Sequence, residues 1–118
     1  VQRRRGGGRG GTRAGDLDRG SGTGEHDSRW LTATTMTGPA GWVYWQPETI
    51  AVFNAVRALR EEGVPVYFST DTGASVYVNT RTEHVDTVES RVADVGVDTD
   101  VWEVGGPARV LDASAALF

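Results

Sequence analysis

Asp71 stands alone between two runs that read as strands, Val64–Thr70 and Ser75–Asn79. A carboxylate at the tip of such a hairpin is held by rigid flanks and stays reachable by a ligand. There it can orient a hydroxyl group or accept its proton. The residues that follow, Thr72-Gly73-Ala74-Ser75, are small. A turn of small residues lets a ligand come close to backbone N–H groups. A lone Asp between strands adds little to a core, so chemistry is the better use of it. The competing reading is a turn residue that bonds its own backbone, and Gly73, Ala74 and Ser75 equally fit a plain hairpin turn. His26 and His84 are far apart and have no matching ligand set, so no protein metal site is expected.

The elements that must position Asp71 are legible around it. Pro47 suits the first position of a helix, and Glu48 suits its positive end. Ile50, Phe53, Val56 and Leu59 recur every three residues and predict a buried stripe, with Gly63 and Pro65 as the stop. A second helix is expected from Thr80 or Thr82, because Thr80 and Glu83 have capping-box spacing. Its apolar face would be Val85, Val88, Val92 and Val95, and Gly96 would end it. Val97–Val104 alternates like a strand. Gly38-Pro39-Ala40-Gly41 marks a loop, and Thr32–Thr37 shows no clear period. Trp42 and Trp45 read as core anchors. Val110–Phe118 is an apolar tail suited to finishing a strand or covering a sheet edge. The order α–β–β–α–β predicts an α+β fold, an antiparallel sheet with helices packed on one face.

The chain divides near residue 25. Residues 1–29 carry seven Arg and four acids, and residues 30–118 carry five Arg and twelve. The Gly/Arg-rich head, residues 1–24, holds almost no apolar side chains and is expected to be disordered, with a single domain over 25–118. An Arg-Gly head could bind nucleic acid by charge, but no aromatic residue interleaves with the arginines and the remainder is acidic. The absence of Cys excludes disulfides and thiol nucleophiles. No apolar run is long enough for a membrane span, and no signal peptide is visible, so a soluble cytoplasmic protein is expected.

Two blocks carry a family resemblance. Asp27-Ser28-Arg29-Trp30-Leu31-Thr32-Ala33-Thr34-Thr35 resembles an Asp-Ser-x-x-x-x-Ala-Thr helix, and Tyr67–Ser75 resembles a Tyr-x-x-Asp-Ala-Gly-Pro-Asn turn. Both belong to the C-terminal domain of the mevalonate-pathway decarboxylases of the GHMP kinase superfamily, which act on diphosphomevalonate or phosphomevalonate. Thr72, Ala74 and Ser75 depart from the family's Ala, Pro and Asn. The resemblance implies an ATP- and Mg2+-dependent decarboxylation of phosphorylated mevalonate to an isopentenyl product. It implies Asp71 as the catalytic acid, and Ser28, Gly73, Ala74 and Ser75 as substrate or phosphate contacts. A hydroxyl at a helix start could equally be an N-cap, so Ser28 has two readings. The family's ATP loop and substrate-binding Arg have no place in this sequence. The chain is therefore expected to be a C-terminal fragment, inactive alone. The alternatives are a stand-alone α+β module that binds a small molecule or forms a homodimer through a sheet edge, and an Arg-Gly-tailed nucleic-acid binder.

Overall fold

The computed structural model describes residues 2–4, 14–105 and 110. Its elements are β1 (Gln2–Arg4), α1 (Ala14–Thr37), α2 (Pro47–Glu61), β2 (Val66–Thr70), β3 (Val76–Arg81), a 3₁₀ turn (Thr82–His84), α3 (Val85–Ala93) and β4 (Trp102–Glu103). The fold is α+β. The four-stranded sheet has the order β2-β3-β1-β4. Its main pair, β2 with β3, is antiparallel from Val66↔Thr80 to Thr70↔Val76. β1 adds parallel pairing to both β3 and β4.

α2 starts with Pro47 and ends in a left-handed glycine. Gly63 has φ +90, and the Val64 N–H reaches back to the Leu59 carbonyl at 3.0 Å. Its buried stripe is Thr49, Val52, Val56 and Leu59. Val56 and Leu59 of the expected stripe are buried, whereas Ile50 is exposed and Phe53 is half-buried against Phe68, with ring centroids 3.9 Å apart. Val52, Val56, Leu59, Val66, Phe68, Val78, Val88 and Val92 form the core between α2, α3 and the hairpin. The face expected for α3 is the one observed, with Val85, Val88 and Val92 buried. Its start is later than expected. Thr80 belongs to β3, and its hydroxyl donates to the Pro65 carbonyl at 2.9 Å instead of capping a helix.

Other expectations change. Thr32–Thr37, which shows no clear apolar period, closes a long helix that contains the Asp27–Thr35 block, as the resemblance implies; among the residues it buries are polar ones. That helix extends back to Ala14, and β1 also falls within the head expected to lack structure. Strand pairing needs only backbone groups, so a Gln-Arg-Arg segment can supply it. Of Val97–Val104, only Trp102–Glu103 is strand, the part that β1 pairs. Trp42 is 61% exposed and is no core anchor, whereas Trp45 packs edge-on against Phe53 at 5.0 Å. All of Val110–Phe118 except Val110 lies outside the described residues.

Candidate functional site

The hairpin tip is built from below. β2 is an outer strand of the sheet, and an outer strand leaves backbone groups unpaired. Side chains of α1 and α2 take those groups up in sequence. Arg60 Nε donates to the Val66 carbonyl at 3.1 Å. The Phe68 N–H donates to Glu25 Oε1 at 3.0 Å, and Arg60 also bonds that carboxylate. The Thr70 N–H donates to Ser28 Oγ at 3.0 Å. Ser28 Oγ lies 2.8 Å from the Gly24 carbonyl oxygen and 3.1 Å from the Thr70 carbonyl oxygen, the two acceptors within reach of its hydroxyl proton. Glu25, Ser28 and Thr32 are all buried and share one face of α1. α1 thus ties itself along the strand that leads to Asp71.

Ser28 lies within α1, far from its start, so it is not an N-cap. Its hydroxyl bridges to both backbone groups of Thr70. Asp71 follows directly and is exposed. Its Oδ1 accepts the Thr72 N–H and lies 3.5 Å from Thr72 Oγ1. The carboxylate therefore shapes its own turn while facing solvent.

Residues 71–75 connect the two strands. Gly73 does not adopt a left-handed conformation. A Cβ added there would meet only the Ser75 nitrogen, at 3.9 Å. The Ala74 carbonyl accepts from Thr49 Oγ1 at 3.4 Å, and Thr49 Oγ1 also accepts the Gln46 N–H at 3.1 Å. The start of α2 is thereby fixed to the far side of the turn. The Thr70 hydroxyl is buried without a hydrogen-bond partner.

A cavity of about 600 Å³ opens beside the turn. Ala74 and Ser75 are on its wall, with Val52, Val78 and Val92 from the core; Asp71 and Ser28 are not. Glu48, Asp98 and Asp100 also line it. Three carboxylates disfavour a phosphate there. The five predicted residues therefore divide: Asp71 and Gly73 at the exposed tip, Ser28 buried beneath it, and Ala74 and Ser75 between tip and cavity. Sequence reasoning missed Glu25, Thr49 and Arg60. The i, i+3 spacing of Glu25 and Ser28 was the available signal. Among the described residues, no three His, Cys, Asp or Glu side chains gather as a metal site, and no helix is long and apolar enough to cross a membrane.

No family model matches the sequence. The chain is 75% identical over 105 residues to the phosphomevalonate decarboxylase of Haloferax volcanii, a match that covers 88% of this chain and 32% of that protein. The mevalonate diphosphate decarboxylase of Staphylococcus aureus superposes with TM-score 0.64 at 23% identity, over 67% of this chain and 24% of that one. The mevalonate diphosphate decarboxylase of Enterococcus faecalis, described with ATP binding mediated by mevalonate diphosphate, gives 0.63 at 24% identity, over 68% and 25%. The chain thus resembles the mevalonate-pathway decarboxylases in sequence and in fold, and spans about a third of the length of the curated relative it matches.

Proposed function

We propose that residues 25–118 form the C-terminal, substrate-side domain of an ATP-dependent decarboxylase of phosphorylated mevalonate. The observation that carries this reading is Asp71, an exposed carboxylate on a hairpin braced from two helices. The 75% identity to a phosphomevalonate decarboxylase favours the monophosphate as substrate. ATP supplies the phosphoryl group that makes the tertiary 3-hydroxyl a leaving group, and Mg2+ accompanies it. Glu48, Asp98 and Asp100 line the cavity beside the turn and disfavour a triphosphate there. Nucleotide binding is accordingly assigned to the rest of a longer polypeptide.

Asp71 would accept a hydrogen bond from the 3-hydroxyl and take its proton as the oxygen becomes phosphorylated. Phosphate then departs with the C–O electron pair, and the carboxylate's C–C pair becomes the new double bond as CO2 leaves. Gly73 would allow the substrate close to the turn's backbone, since the local fold does not itself require glycine there. Ala74 and Ser75 would flank the substrate. Ser28 would contribute at the base of the site. The test is Asp71→Asn in a chimera, with residues 25–105 replacing the matching stretch of the Haloferax volcanii relative. Turnover should fall by about 10²-fold or more while the Michaelis constant for phosphorylated mevalonate changes far less. Near-normal turnover in a folded Asp71→Asn chimera would reduce Asp71 to a turn residue.

A further inference from the structure

The turn that carries Asp71 is fastened at both ends. At the near end, the Ser28 hydroxyl bridges both backbone groups of Thr70. The Thr70 side chain adds nothing there, since its own buried hydroxyl has no hydrogen-bond partner. At the far end, Thr49 Oγ1 donates to the Ala74 carbonyl at 3.4 Å. Among the described residues, no backbone hydrogen bond runs within 71–75. Thr49 is, among those residues, the one side chain from outside the hairpin that bonds this stretch.

Thr49 occupies the third position of α2 and is 3% exposed. A hydroxyl has one proton to give and lone pairs to receive with. Thr49 gives its proton to Ala74 and receives the Gln46 N–H at 3.1 Å. The same oxygen therefore caps the start of α2 and holds the turn. Pro47 and the bonded Gln46 amide fix that helix start, so Ala74 is tied to a rigid element.

We propose that Thr49 is a positioning residue for Asp71, acting through the Ala74 carbonyl. The inference rests on the decarboxylase reading above. With Thr70 held by Ser28, the place of Ala74 decides where the chain between them can run. Asp71 Oδ1 holds the Thr72 N–H, so a swing of that backbone carries the carboxylate with it. A shift of about 1 Å at a reacting group can cost about 10²-fold in rate.

The experiment compares Thr49→Val, which keeps the side-chain shape and removes the hydroxyl, with Thr49→Ser, which keeps the hydroxyl. In the full chain, the Thr72 amide of the valine variant should exchange at least about threefold faster than in the parent. Turn amides exchange through local opening, so a lost helix cap that only lowers global stability leaves Thr72 unmoved. In the chimera with the Haloferax volcanii relative, Thr49→Val should lower kcat by about tenfold or more, with a smaller change in the Michaelis constant for phosphorylated mevalonate. Thr49→Ser should restore both readouts. Parental kcat in a folded valine variant, or unchanged exchange at Thr72, would overturn the proposal. So would a serine variant as impaired as the valine one, which would make the methyl group the working part. A normal Thr49→Val chimera beside an inactive Asp71→Asn chimera removes this inference alone; a normal Asp71→Asn chimera removes the proposed function.

Discussion

Asp71 and Gly73 show how differently two neighbours at one tip can be constrained. Asp71 holds the Thr72 N–H, so the turn uses its carboxylate even without a ligand. Gly73 has ordinary backbone angles and room for a Cβ. Gly73→Ala should therefore leave the unfolding free energy within about 0.5 kcal/mol of the parent, the usual range at sites without special strain. In the decarboxylase chimera it should raise the Michaelis constant for phosphorylated mevalonate, because a methyl group would stand where the substrate approaches. Thermal unfolding and steady-state kinetics on one preparation check both halves. The carboxylate was visible in the sequence because an acid between two apolar runs has no packing role. The buried duty of Ser28 was not, because residue type alone does not separate a helix start from a helix interior.

At the scale of elements, legibility followed the chemistry of the buried face. α2 and α3 bury apolar stripes, and period alone located them. α1 buries Glu25, Ser28 and Thr32, while Trp30 and Leu31 face outward. A helix whose buried side is polar has no apolar period, so Thr32–Thr37 gave no signal. Its polarity has a purpose: Glu25 and Ser28 each meet a backbone group on the outer edge of β2. Glu25→Ala and Ser28→Ala should each cost about 1–3 kcal/mol, the range for leaving a buried backbone donor unsatisfied. Chemical denaturation measures the loss. Amide exchange should place it, with Phe68 accelerated in the first variant and Thr70 in the second.

Core packing is tested at the same scale by Val56 and Leu59, both fully buried at the centre of α2. Leu59→Ala should cost about 2–5 kcal/mol, the range for a large-to-small change in a packed core. Urea denaturation checks this. A loss below about 1 kcal/mol would mean that the core described around α2 does not carry the fold.

The whole molecule is an α+β unit that spans 32% of the curated relative it matches. Its cavity beside β3 could not be read from sequence, since a void is a property of what surrounds it. Joined to the remainder of a decarboxylase, this unit should complete the enzyme. The direct measurement is CO2 release from phosphorylated mevalonate with ATP and Mg2+, by the isolated chain and by the chimera with the Haloferax volcanii relative. The isolated chain should give no turnover, and the chimera should turn over at a relative-like rate with the monophosphate preferred. A folded chimera that releases no CO2 from either the monophosphate or the diphosphate would contradict this reading.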